Sequence, residues 1–192
     1  MSSILDDNFL SAVKLINNSN GKLIITGIGK SAIIAMKISA TLNSTGTKSV
    51  FIHASDALHG DSGIIDKNDV VLFISKSGST TEIKNFVEIV KSNGNKTIAL
   101  TSNKKSFLSN EADIVLNIDI KKEADPYNLV PTTSTTTQLV LGDTIAICLM
   151  KLNEFKENDF AKFHPSGSLG KMLSLKIKPV SYTHLTLPTR IF

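Results

Sequence analysis

The sequence has no tryptophan, a single cysteine, two tyrosines and five prolines in 192 residues, and aromatics make up only 6% of it. One cysteine cannot close an intrachain disulfide, so a disulfide-stapled scaffold is excluded. That residue, Cys148, lies in the apolar run 145–150 and reads as a small core side chain. A reducing compartment fits. No run of about 18 apolar residues is present, and the amino terminus carries no signal-peptide core. The expected location is therefore the cytoplasm. Lys and Arg total 21 against 17 Asp and Glu, a net charge of +4. These charges are dispersed and the aromatics sparse, so nothing marks a nucleic-acid surface. No solenoid-type repeat is visible.

What the chain does have is alternation. Apolar runs at 22–26, 49–52, 70–74, 97–100 and 114–118 read as strands. Between them lie helical patterns. The first places Ile4, Leu5, Phe9, Leu10, Val13, Leu15 and Ile16 at helical spacing. Others run to about Asn43, from Ile83 to about Ser92, over 106–110, and from a hydroxyl-rich segment at 131 to about Leu152. Residues 54–60 read as a short helix or loop. Continuous apolar strands are those of a parallel sheet covered on both faces. The expected fold is α/β, a doubly wound three-layer α/β/α sandwich of flavodoxin type with about five parallel strands. Such sheets bind ligands beyond the carboxyl ends of the strands, where the chain reverses direction.

Two strand-to-helix turns fall there. The first to note is Ser75-Lys76-Ser77-Gly78-Ser79-Thr80-Thr81-Glu82, between the strand 70–74 and a helix. The free N–H groups and positive dipole end of a helix start favour an anion, and Ser and Thr hydroxyls add donors that can turn toward a phosphate. A capping box, Ser79 with Glu82, explains two of these residues but not Ser75, Ser77 and Gly78. The second turn is Gly27-Ile28-Gly29-Lys30-Ser31-Ala32. It fits a dinucleotide fingerprint, but His53 stands where an acid should hold a ribose, and Asp56 comes three residues later. Gly29-Lys30-Ser31 also lacks the glycine a P-loop requires, since that position is Ile24. A cation at a helix start opposes the dipole, which favours a functional Lys30.

With both turns placed, the chain resembles a known family. GIGKSA, STGTKSVFIH, ALHGDSG, SKSGSTTEI, KKEADP, PTTSTTTQLVLGD and DFAKFHPSGSLGK occur in that order over residues 21–173. This pattern is similar to the sugar isomerase (SIS) domain of D-arabinose-5-phosphate isomerases, which interconvert D-ribulose 5-phosphate and D-arabinose 5-phosphate. The product feeds synthesis of Kdo, an acid sugar of lipopolysaccharide and capsules. The resemblance implies catalytic roles for Lys30, Glu82, Glu123 and His164. It implies substrate contacts for Gly46, Thr47, His53 and His59, with the phosphate held by Ser75, Ser77, Ser79 and Thr80. It implies no cofactor, and at His53 at most an inhibitory zinc. It further implies a homotetramer whose sites are shared between subunits. The chain departs from the family at Lys76 and Ser79, where relatives often carry Asn and Glu, at Ser166, and in KEADPYNLVPT. Lys76 suits a phosphate or faces solvent.

Carbonyl transfer between C1 and C2 needs a base to move a proton through a cis-enediol, a cation or donor for the developing oxyanion, and a second acid–base group. Glu123 leads as base and Glu82 follows. Lys30 would polarise the carbonyl oxygen, and His164 would open the sugar ring, a task its ordinary pKa suits. Read alone, Lys121-Lys122-Glu123 is a solvated charge cluster. The alternatives are a non-catalytic sugar-phosphate sensor and an isomerase of a heptose or hexose phosphate. The expected organisation is one isomerase domain at 1–173, a cut linker at 174–179, and a tail at 180–192 that resembles translated sequencing-adapter sequence. Larger relatives continue into paired CBS modules.

Overall fold

The structure is a computed structural model, and it describes residues 5–165. The chain divides into two compact units, residues 1–156 and 157–192. The first holds five strands, β1 (Leu23–Gly27), β2 (Ser49–His53), β3 (Val70–Ile74), β4 (Lys96–Thr101) and β5 (Ile114–Asn117). Its helices are α1 (Asp7–Asn18), α2 (Lys30–Ser44), α3 (Ala54–Ala57), α4 (Thr81–Ser92), α5 (Phe107–Glu111) and α6 (Thr133–Leu152). Of the second unit, the helix α7 (Glu157–Phe163) and the residues to Pro165 are described.

The strands form one sheet in the order β2-β1-β3-β4-β5, parallel throughout. Every residue of β1 and of β3 is buried, as unbroken apolar runs require when helices cover both faces. Successive side chains point to opposite faces, so each strand feeds two cores. On one face Leu23, Ile25 and Leu72 pack with Phe9, Val13, Ile38, Leu42, Ile145 and Leu149 from α1, α2 and α6. On the other, Ile24, Val71 and Phe73 pack with Ile83, Phe86, Val90 and Leu108 from α4 and α5. Phe73 and Phe86 meet edge to face at 5.4 Å, worth about 0.5–1.5 kcal/mol beyond the buried area. This is the expected three-layer sandwich.

Local chemistry sets the boundaries. The first helix starts later than its apolar spacing suggests, because Asp6 accepts the Phe9 N–H at 3.0 Å and caps it. A 3-10 turn at Asp61–Ile64 and the helix α7 have no counterpart in the sequence reading, because so few residues offer no readable apolar period. The expected linker at 174–179 and tail at 180–192 lie outside the described residues.

The amino edge of the sheet is closed by side chains. The buried Asp69 carboxylate accepts the Lys22 ammonium at 2.7 Å, the Lys22 N–H at 2.8 Å and the Asp66 N–H at 2.8 Å. Asn95 Nδ2 donates to the carbonyls of Asp66 at 2.8 Å and Asp69 at 3.0 Å. At the opposite, carboxyl edge, the chain runs outward from β1 to β2 and then from β3 to β5. The crevice between the ends of β1 and β3 is the switch point of the fold.

Candidate active site

Gly27 ends β1 and stands in register with both His53 of β2 and Ile74 of β3. The turns that follow β1 and β3 are therefore neighbours across the switch point. A Cβ on Gly27 would sit 3.0 Å from both the Ile74 carbonyl oxygen and the Ser31 carbonyl carbon, so glycine permits the close seating of α2. Lys30 opens α2, is exposed, and makes no hydrogen bond or ion pair among the described residues.

The 75–80 turn is tied from below. The Ser75 N–H donates to the Leu100 carbonyl at 3.1 Å, and the nearly buried Ser75 hydroxyl accepts the Gly78 N–H at 3.0 Å. Gly78 has φ +64°, and a Cβ there would run into the side chain of Ser106, the N-cap of α5. Ser77, Ser79 and Thr80 remain exposed. The N-cap of α4 is Thr80 rather than Ser79, and it makes no side-chain capping bond. The alternative reading of this turn, a capping box of Ser79 with Glu82, does not form. Glu82 lies half-buried in the first turn of α4 and makes no hydrogen bond among the described residues. The α4 amino terminus therefore keeps its first N–H groups clear of any side-chain acceptor.

Glu123 is the buried centre. It is only 2% exposed, although its neighbours Lys121 and Lys122 are exposed. Five donors converge on its carboxylate. Lys76 Nζ and Ser134 Oγ each donate to Oε1 at 2.6 Å. To Oε2 come the Thr132 N–H at 2.9 Å, the Ser134 N–H at 3.1 Å and the Thr132 hydroxyl at 3.3 Å. Burial alone would raise its pKa, but the hydrogen bonds from Lys76, Ser134 and Thr132 outweigh burial and hold the carboxyl well below the usual carboxylate range. The side chain of Lys76, 42% exposed, spans from the hydroxyl-rich turn to this carboxylate.

The loop before α6 is ordered by carboxylate and amide. The Glu123 N–H donates to Asn128 Oδ1 at 2.7 Å, with Asn128 in the left-handed region at φ +57°. Asp125 accepts the N–H groups of Tyr127, Leu129 and Val130, each at 2.9 Å. One helical turn beyond Ser134, the fully buried Gln138 accepts a hydrogen bond from Ser31 Oγ at 3.3 Å, while its Nε2 has no partner among the described residues. Helix α6 thus touches both glycine-bearing turns, through Ser31 and, by way of Glu123, through Lys76.

The other sequence-derived positions divide. His53 ends β2 at the same edge, and its Nδ1 accepts the Ser55 N–H at 3.4 Å. His59 is exposed just past α3, with no side-chain partner among the described residues. Gly46 and Thr47 lie in the turn before β2, so the structure places them at the amino edge, a strand length from Lys30. There they line a cavity of about 200 Å³ with Lys22, Lys48 and Asn153. His164 belongs to the second unit. Its contacts are local, with Nδ1 2.9 Å from the Phe160 carbonyl oxygen and its ring stacked on Phe160 at 3.8 Å. Among the described residues no three His, Cys, Asp or Glu side chains are grouped to hold a metal, so His53 would offer a zinc one isolated ligand.

Sequence reasoning leaves Lys76 open between phosphate and solvent, and does not foresee its bond to Glu123. It reads the segment from 131 as hydroxyl-rich without assigning Thr132 and Ser134 to Glu123, and it misses Asn128 and Gln138. A signal exists for two of these. Ser134 and Gln138 continue the buried stripe of α6 that Leu141, Ile145 and Leu149 complete, and polar residues on a core-facing stripe need partners.

Comparison with known proteins adds the family pattern. The SIS domain pattern matches residues 15–148. A probable arabinose 5-phosphate isomerase of Haemophilus influenzae is 46% identical, the match covering 100% of this chain and 58% of that protein. Arabinose 5-phosphate isomerase KdsD of Pseudomonas aeruginosa is 44% identical over 96% of this chain and 56% of its own length. The chain thus spans little more than half the length of these curated relatives. Among solved structures, E. coli CFT073 c3406 in complex with arabinose 5-phosphate superposes with a TM-score of 0.82 at 40% identity, covering 85% of this chain and 89% of that one.

Proposed function

This chain belongs to the SIS domain family, and from that premise we propose that it is an aldose–ketose isomerase interconverting D-ribulose 5-phosphate and D-arabinose 5-phosphate. The names of its relatives and the arabinose 5-phosphate complex of a structural neighbour support this reading. The observation that carries it is the buried Glu123 carboxylate joined by Lys76 to the hydroxyl-rich turn at the switch point. A sugar phosphate held there has its phosphate on one element and its reacting carbons near a carboxylate and a free lysine.

In this reading the exposed hydroxyls of Ser77, Ser79 and Thr80 and the α4 amino terminus hold the phosphate, and Ser75 shapes the turn. Lys30 stabilises the developing enediolate oxygen. Glu123 moves the proton between C1 and C2, with Glu82 the second candidate because its carboxylate is unengaged. His53 and His59 contact the sugar, and His164 opens the ring. Gly46 and Thr47, at the far edge, serve a site completed by another subunit. The assembly is a homotetramer, the isomerase domain covers residues 1–173, and the product supplies Kdo synthesis.

The test is to incubate the purified protein with ribulose 5-phosphate in deuterium oxide. Arabinose 5-phosphate should form with deuterium entering at the exchanging carbon. Absence of both product and exchange would reject isomerase chemistry. One observation favours a second reading, a sugar-phosphate sensor without turnover: five donors on its carboxylate make Glu123 a weak base. A sensor would bind the sugar phosphate without that exchange.

A further inference from the structure

The Lys76–Glu123 contact joins two groups with opposite tasks. A base is effective when its carboxylate is free to accept a proton, yet here it is capped by an ammonium at 2.6 Å. That ammonium comes from inside the turn assigned to phosphate. The Lys76 backbone is anchored, its carbonyl accepting the Ser102 N–H at 3.2 Å and the Thr101 hydroxyl at 3.2 Å. Its side chain is the free part, 42% exposed against 0% for the carboxylate it meets. Among the described residues Lys76 is the charged group in contact with Glu123. The loop before α6 and α6 itself contribute only the neutral donors of Thr132 and Ser134. Those four bonds fix the carboxylate without Lys76, so withdrawing the lysine would alter its charge environment and not its place.

We propose that Lys76 is a substrate-gated positioning residue: it caps Glu123 through the 2.6 Å contact, and a phosphate seated in the 75–80 turn draws its ammonium off the carboxylate. A phosphate monoester carries roughly −1.5 to −2 charge near neutral pH and out-competes a single carboxylate for the cation. Glu123 then regains basicity only when the site is filled. The lysine neutralises the phosphate and releases the base in one movement. This inference rests on the phosphate reading of the 75–80 turn.

Two measurements on the full chain test it. In wild type, the acid limb of the kcat/KM profile, which reports free enzyme, should lie about 1–2 pH units below that of kcat, which reports the complex. In Lys76→Gln the two limbs should coincide at the higher position, and Lys76→Arg should restore their separation. A purely structural lysine would lower rates in Lys76→Gln without moving either limb, and that result would overturn the proposal. The second measurement needs no turnover. The Glu123 carboxyl carbon resonance, assigned with Glu123→Gln, is followed as inorganic phosphate is added. It should shift in wild type and stay fixed in Lys76→Gln. Phosphate that perturbs the 77–80 amides but leaves Glu123 unmoved in wild type overturns the gate and spares the cradle. Phosphate that perturbs neither overturns both.

Discussion

Glu123 illustrates how a residue's chemistry depends on chain remote from it. In sequence it sits in Lys121-Lys122-Glu123, a pattern that ordinarily faces water. In the fold it is 2% exposed, buried by Thr132 and Ser134 some ten residues later. No local pattern encodes that burial, so only the family resemblance marks the residue in advance. Replacing it by glutamine keeps the shape but removes the anion, leaving Lys76 unpaired. We expect Glu123→Gln to lower kcat by about 10²–10⁴-fold, the usual contribution of a general base, with a smaller change in KM. Steady-state kinetics on protein of verified fold checks this, and unchanged kcat would transfer the role to Glu82.

Among the elements, the strands are legible to within a residue or so because buried parallel strands are unbroken apolar runs. Strand β3 reads at its observed limits, 70–74, and β4 exceeds its reading by one residue at each end. Helix starts are less legible. The α4 cap falls on Thr80, because hydroxyl residues are adjacent there and only the turn geometry selects one. That geometry depends on Gly78, whose φ of +64° and contact with Ser106 leave no room for a Cβ. Gly78→Ala should therefore cost about 1–3 kcal/mol and depress sugar-phosphate affinity as well. Thermal unfolding and a phosphate titration measure the two effects. A full-stability variant would show that the turn can relax without the left-handed residue.

For the whole molecule, among the described residues no helix is long and apolar enough to cross a membrane. The outer surfaces of α2 and α6 nevertheless expose Ile33 and Met36, and Val140 and Ile147. The two helices are tied by Lys37 and Asp143 at 2.6 Å, and Gly142 of α6 seats against Ile38 of α2. These exposed apolar side chains are candidates for burial against another subunit in the assembly proposed above. Sedimentation velocity should give a tetramer for wild type and smaller species for Ile33→Asp with Ile147→Asp. A fully active monomeric wild type would reject shared sites. Sequence reasoning has least purchase on sites of the proposed shared kind, since Gly46 and Thr47 sit at the amino edge of their own subunit and their proposed role would need a second one.

The loop between β5 and α6 carries a consequence for redesign. Asp125 organises it by accepting three main-chain N–H groups, those of Tyr127, Leu129 and Val130, while their side chains stay 81%, 77% and 54% exposed. Because the carboxylate grips only the peptide backbone, side-chain identity at these three positions is nearly decoupled from loop shape. A combinatorial library over 127, 129 and 130, with Asp125 and Asn128 held constant, would vary the rim beside Glu123 on an unchanging frame. The chain thereby offers a ready place to ask, by substrate panel, whether this rim influences the selectivity of the proposed isomerase without rebuilding the fold.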